Sequence, residues 1–183
     1  MVALFANIQN TGMGRDYLTG LYNRRKLEEL MTERVEHAKA GHSFAAIMMD
    51  VDNFKRINDT LGHATGDIAL ADTARLLKRS VRSGDAVARF GGDEFFVLLD
   101  IEEPSELEDV VARIQEEENI FAEEEHPYKL KLSKGYDVFD PERFTTVQEF
   151  EEYLDALMYK EKEVHHADDV SYRGGGRLFP ANR

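Results

Sequence analysis

Two apolar segments of strand length, Val87 to Phe90 and Phe95 to Leu99, are separated only by Gly91-Gly92-Asp93-Glu94. Strands that close in sequence pair as an antiparallel hairpin, with the glycines at a tight turn. Such a hairpin at mid-chain, with helical patterns on both sides, calls for an α/β sandwich on a mixed or antiparallel sheet. A glycine turn also lets a backbone approach a ligand, because no Cβ stands in the way. Asp93 and Glu94 place negative charge where a phosphate could come near, which makes sense with a divalent cation between them. The plainer reading is an ordinary hairpin with a solvated acidic tip.

The remaining periodicities fill in the architecture. Leu18 to Ala40 reads as a helix ended near Gly41, and Phe44 to Met49 as a buried strand closing on Asp50-Val51-Asp52. Asn53 to Leu61 and Asp67 to Ser83 read as helices joined by a turn from Gly62 to Gly66. Ser105 to Ala122 is a helix after Pro104, Tyr128 to Phe139 a strand, and Val147 to Val164 a long helix. Asp168 to Arg173 is expected as a short edge strand before Gly174-Gly175-Gly176. Residues 1–15 read as the tail of an upstream linker or an expression remnant, residues 16–173 as one catalytic domain, and 174–183 as a C-terminal tail.

With 183 residues the chain suits one domain with a sizeable core. Cysteine is absent, which excludes disulfides and thiolate metal sites. A net charge of −13 argues against nucleic-acid binding. Glu102 to Glu125 alone holds eleven acids and one base, Arg113, and reads as a solvated helix face. No apolar run reaches membrane-spanning length, so a soluble cytoplasmic domain without membrane contact is expected. Neither a P-loop nor a dinucleotide fingerprint is present.

The chemistry concentrates at the strand ends. Asp50 is a candidate metal ligand, with the Val51 carbonyl as a further oxygen donor, since magnesium accepts carboxylate, carbonyl and phosphate oxygens together. If that strand lies beside the hairpin, Asp50 meets Asp93 and Glu94. Three clustered carboxylates repel and raise one another's pKa unless a cation offsets them. Such a cluster bridged by magnesium serves displacement at a phosphate.

Asp50-x-Asp52-x-Phe54-Lys55-x-x-Asn58-Asp59-x-x-Gly62-His63-x-x-Gly66-Asp67, followed by Arg89-x-Gly91-Gly92-Asp93-Glu94-Phe95, resembles the GGDEF diguanylate cyclases. Asp16-x-Leu18-Thr19-Gly20-Leu21-x-Asn23-Arg24-Arg25 is similar to the family's opening motif, and Asp155-Ala156-Leu157-Met158-Tyr159-x-x-Lys162 to its late helix motif. The resemblance covers residues 16 to 163. It implies an α+β fold of the nucleotidyl-cyclase and polymerase-palm kind: a mostly antiparallel five-stranded sheet flanked by helices and carrying the GGDEF hairpin. It implies condensation of two GTP into cyclic di-GMP with loss of two pyrophosphates, dependent on magnesium or manganese.

On that likeness Asp50, the Val51 carbonyl, Asp93 and Glu94 hold the metal, and Asp93 takes the proton of the attacking 3′-hydroxyl. Glu94 is a further ligand or base. Asn58 and Asp67 read guanine: a carboxylate accepts from the ring N–H and amine, whereas adenine offers an acceptor on that edge. Gly91 and Gly92 border the nucleotide. Lys55 and Lys162 neutralise phosphate oxygens. His63 either lines the guanine pocket or caps the helix junction, and Phe54 is either a nucleotide contact or core. Arg82-Ser83-Gly84-Asp85 matches the family's RxxD product-inhibition motif at the family's spacing before Gly91, with Arg113 as the supporting arginine.

Departures are local. Glu163-Val164-His165-His166 stands where the family often carries a second cation and a glycine-arginine-asparagine run, and Asp93 is shorter than the glutamate of many relatives. A two-fold-symmetric product with one GTP per domain requires a second GGDEF domain face to face, so a homodimer is expected during catalysis. The chain therefore reads as the output domain of a longer sensor protein. The alternatives are a module that binds GTP or cyclic di-GMP without turnover, and a purely structural dimerisation domain.

Overall fold

The computed structural model describes residues 14–174, with side chains through residue 167. The expected linker and tail lie outside the described residues, apart from Gly14, Arg15 and Gly174. In chain order the elements are β1 (Tyr22–Asn23), α1 (Arg24–Lys39), β2 (Ser43–Val51), α2 (Phe54–Leu61), α3 (His63–Ser80), β3 (Ala86–Arg89), β4 (Glu94–Ile101), α4 (Ser105–Glu123), β5 (Leu132–Val138) and α5 (Val147–Gly174). The five strands form one sheet in the order β1-β3-β4-β2-β5. Only the β1–β3 pair is parallel; the others are antiparallel, as the hairpin required.

Alternation along the strands splits the core into two layers. Ala45, Ile47, Met49 and Val51 of β2, with Phe95, Val97, Leu99 and Ile101 of β4, pack with α3 and α4. Phe44, Ala46 and Met48, with Phe96 and Leu98, pack with α1 and α5. Both faces of β2 are covered, so it reads as one unbroken apolar run rather than an alternation.

Four boundaries differ from the sequence expectation, each for a local reason. The first helix starts at Arg24, not Leu18. Asp16 Oδ1 accepts from the Thr19 N–H (2.9 Å) and hydroxyl (2.7 Å), Gly20 sits at φ +67°, and Asn23 caps the helix by accepting from the Lys26 N–H at 3.0 Å. The turn between α2 and α3 is the single residue Gly62, at φ +87°; the helix resumes at once with His63. The last strand begins at Leu132, opposite Val51, because β2 ends there and residues 126–131 have no strand to pair with. Residues 168–173 continue α5 rather than forming an edge strand. A capping box starts that helix: Thr146 Oγ1 accepts from the Glu149 N–H, and Glu149 Oε2 accepts from the Thr145 and Thr146 N–H groups.

The acidic run is not solvated throughout. Glu118 lies on the buried stripe of α4 with Leu107, Val110, Ile114 and Phe121, and it pairs with Lys134 of β5 at 2.6 Å. Its other oxygen accepts the Leu132 N–H at 2.6 Å.

β5 and α5 approach each other closely at Gly135. A Cβ on Gly135 would overlap the Leu154 carbonyl oxygen and the Met158 backbone nitrogen, neither of which can give way without moving the helix. Gly135→Ala is expected to lower unfolding free energy by about 2 kcal/mol in urea titrations. Gly84→Ala, where the space is open, should change it by no more than about 0.5 kcal/mol.

Candidate active site

Strand register brings the carboxylates together. Asp50 is directly opposite Glu94 on β4 and Ser133 on β5. Asp50 shares its sheet face with Met48, and Glu94 with Phe96, so both carboxylates lie on the layer of α5. Like charges directly opposed in a sheet destabilise it. Lys162 of α5 answers this, donating from Nζ to Asp50 Oδ1 at 2.7 Å. Burial nonetheless holds the Asp50 carboxyl above its ordinary range, with Asp93 and Asp52 adding to it and Lys162 opposing. Burial likewise raises Glu94, helped by Asp50, Asp93 and Asp155. Burial also works against the charge on Lys162, but Asp50, backed by Asp93 and Asp52, outweighs it and keeps that ammonium above its usual value.

The turn has the expected four residues but lies one position earlier, because Phe90 leaves the first strand and Glu94 joins the second. Phe90 to Asp93 separate the strands, and the Phe90 and Gly91 N–H groups both donate to the Glu94 carbonyl at 2.8 and 3.3 Å. Gly91 and Gly92 both keep ordinary negative-side backbone angles. Gly91 is needed for space: a Cβ there would overlap the Glu94 carboxylate. Gly92 is exposed with open space beside it. The Asp93 carbonyl accepts the Val51 N–H at 3.1 Å, which fixes the turn against the end of β2.

Arg89 opens the hairpin motif with no role assigned to it by the sequence, and in the structure it anchors this turn. Its Nε and Nη2 donate to the Gly92 carbonyl, and its Nη1 reaches both oxygens of Asp16 at 3.3 Å. Asp52, Ser133 and His165 form a second support. Ser133 Oγ donates to Asp52 Oδ1 at 2.6 Å, and His165 Nδ1 contacts Asp52 Oδ2 at 2.6 Å. No sequence signal pointed to His165 beyond its place after the late motif. Glu118 could have been found, since an acid on an apolar helical stripe implies a buried partner.

The proposed guanine readers sit on α2 and α3. The Asn58 side chain fills the space where a Cβ of Gly66 would stand, with Phe54 beside it. Asn58 is therefore held next to Asp67, which is exposed, as are His63 and Lys55. Phe54 is partly buried against the core. Arg82, Asp85 and Arg113 converge on the other end of α3. The Arg82 N–H donates to Asp85 Oδ2 at 2.8 Å, Arg113 Nε donates to the Ser80 carbonyl at 2.8 Å, and the Arg82 guanidinium pairs with Glu106. Burial raises the Asp85 carboxyl, against the pull of Arg82.

A divalent metal fits the donor chemistry. Asp50, Glu94 and Asp93 offer hard oxygens, and two of the three are held above their ordinary range by burial and mutual repulsion. Among the described residues no three acid or imidazole side chains are already converged as a metal cage. Lys162 supplies the compensating charge instead.

Comparison with known proteins bears on the family and the fold. The family described as "Diguanylate cyclase, GGDEF domain" matches residues 13–167. The bifunctional diguanylate cyclase/cyclic di-GMP phosphodiesterase MucR of Pseudomonas aeruginosa is 34% identical over 153 residues, 81% of this chain and 22% of that protein. The chain spans about a fifth of the length of the first curated relatives it matches. Among solved structures, the diguanylate cyclase SiaD of Pseudomonas aeruginosa, in complex with its activator SiaC, superposes with a TM-score of 0.75 at 29% identity, over 88% of this chain and 64% of that one. The GGDEF domain of DgcB from Caulobacter crescentus, in complex with c-di-GMP, gives a TM-score of 0.72 at 26% identity, over 88% of this chain and 91% of that one.

The raised Glu94 carboxyl fixes the sign of one experiment. A group that holds its proton more tightly in the folded state stabilises the fold below its unfolded pKa and loses that contribution as pH rises through the folded value. Ionised Glu94 therefore costs stability near neutrality. In EDTA at about pH 7, Glu94→Gln is expected to stabilise the protein by about 0.5 kcal/mol, and the gain should vanish on acidification below the ordinary carboxylate range. A gain that grew with acid would contradict the assignment.

Proposed function

The chain belongs to the GGDEF diguanylate cyclase family, and on that premise we propose that it condenses two GTP molecules into cyclic di-GMP. The observation that carries this is the Asp50–Glu94 cross-strand pair beside Asp93, three carboxylates from two strands and one turn at one sheet end. In each of two steps a 3′-oxygen attacks the α-phosphorus of the opposing GTP. The bond from that phosphorus to the bridging oxygen breaks, and pyrophosphate leaves. Asp93 accepts the hydroxyl proton, and Glu94, whose carboxyl burial holds above its ordinary range, is the second acceptor. Asn58 and Asp67 select guanine. Lys55 and Lys162 hold phosphate oxygens, which requires Lys162 to leave Asp50.

Asp50, the Val51 carbonyl, Asp93 and Glu94 would hold magnesium or manganese. When bound, the metal offsets the carboxylates and lowers the pKa of the attacking hydroxyl. Because each domain presents one GTP, two copies face each other in the reaction. Arg82, Asp85 and Arg113 form the site at which cyclic di-GMP inhibits. That reading is supported by their convergence in the structure and by the c-di-GMP complex of the DgcB domain.

Incubation with GTP and magnesium, with chromatographic separation of products, tests the proposal. Cyclic di-GMP and pyrophosphate are expected, at a rate rising with the square of protein concentration. Asp93→Ala should lower turnover by about 100-fold or more with an unchanged melting profile. GTP binding without any turnover at high protein concentration would favour a receptor role instead. Arg82→Ala should raise the cyclic di-GMP needed for half-inhibition while leaving the uninhibited rate intact; unchanged inhibition would remove that site from the scheme.

A further inference from the structure

A cavity of about 540 Å³ opens between α2, residues 126–131 and the end of α5. We propose that it is an anion site that takes a phosphorylated small molecule by its diphosphate or longer phosphate chain, apart from both the hairpin and the Arg82–Asp85 turn. Its separation from the guanine readers follows from helix geometry. Arg56 and Thr60, one turn apart, line the cavity, whereas Phe54 and Asn58, also one turn apart, face Gly66 about 180° around α2.

Charge supports an anionic ligand. In a chain with net charge −13, this one concavity gathers Arg56, Lys129 and Lys131. Among the described residues, these three side chains make no ion pair or hydrogen bond. Asp52 lines the cavity too, but both its oxygens are taken, by Ser133 and by His165. His165 and His166 add imidazoles from α5. His126 lies against Phe121 with ring centroids 3.7 Å apart and contacts Glu124, and Asp52 is the acid among the lining residues. Arg56, Lys129 and Lys131 are all exposed, and as unpaired cations gathered on one concave wall they raise the local concentration of anions, an attraction that salt screens.

The wall that carries the lysines is fixed. Tyr128, buried at 8% exposure, donates its hydroxyl to Asp72 of α3, and the Lys131 carbonyl accepts the Asp52 N–H at 2.9 Å. Ile57, Leu61 and Pro127 supply apolar surface. The volume suits a ligand of nucleotide size or smaller. The inference stands on this cavity alone and does not depend on cyclic di-GMP synthesis.

Calorimetric titration in EDTA at low salt tests it, with pyrophosphate and ADP as probes and guanosine as the phosphate-free control. Pyrophosphate and ADP should bind the wild-type chain and Lys162→Gln alike, and guanosine should not bind. In the double variant K129E/K131E, affinity should fall by roughly tenfold or more. Tighter binding of ADP than pyrophosphate would identify a nucleotide as the ligand, and the reverse order an inorganic phosphate chain. If the reversed pair fails to fold, K129Q/K131Q takes its place. Absence of binding, full binding in the lysine double variant, or loss only in Lys162→Gln would overturn the proposal, the last by placing the anion at the hairpin.

Discussion

Asp50 and Glu94 face each other across two hydrogen-bonded strands, on a sheet surface that a helix covers. That opposition is unfavourable in itself, and the rest of the domain is arranged to hold it. β2 is flanked on both edges, by β4 and β5, and packed on both faces, so its end cannot splay to relieve the repulsion. α5 lies close enough to β5 that only glycine fits at position 135, and this contact carries Lys162 to Asp50. The site is a place where local rules are broken and neighbouring structure keeps them broken.

Three segments distant in sequence secure the rim. Arg89 links the turn at Gly92 to Asp16, so the hairpin tip and the start of the domain move as one unit. The Val51 N–H ties β2 to the same turn through the Asp93 carbonyl. Asp52 joins β5 and α5 through Ser133 and His165. Pairing and parity place the side chains, and hydrogen bonds to main-chain carbonyls stop the turn from drifting.

Sequence alone conveyed what depends on pairing and periodicity. The hairpin, the buried strand ending at Asp50 and the antiparallel sheet follow from strand-length apolar runs and their spacing. It did not convey features decided by tertiary contact. Leu18 to Asn23 carries a helix-compatible pattern, but Asp16 captures Thr19 and Tyr22-Asn23 pairs with β3 instead. Gly91-Gly92 reads as the tight part of a turn, yet the glycine at 91 serves the Glu94 carboxylate lying over it. Glu118 looks like one acid among eleven until Lys134 arrives from a strand 16 residues away in sequence. The motif residues Asp50, Glu94 and Asp93 were legible as a set, but Lys162 resting on Asp50 was not, because a lysine matching a phosphate-binding motif gives no hint of its partner before phosphate arrives.

The same charge balance bears on how two such domains could meet. Each carries a net charge of −13, and at physiological salt that repulsion is screened only beyond about 8 Å. Face-to-face approach of two carboxylate-lined sites therefore works against electrostatics at the range where the reaction must happen. Metal binding would relieve the repulsion between Asp50 and Glu94 within each domain, but an arriving triphosphate adds negative charge again. Lys162 neutralises Asp50, and the proposed reaction has it pass to a phosphate on loading. One ammonium does not offset three carboxylates, so each site keeps a net negative charge and offers no attraction for a second copy. In the proposed reaction, proximity must then be imposed on the two domains rather than drawn from their active-site surfaces, and whatever holds them together governs the rate.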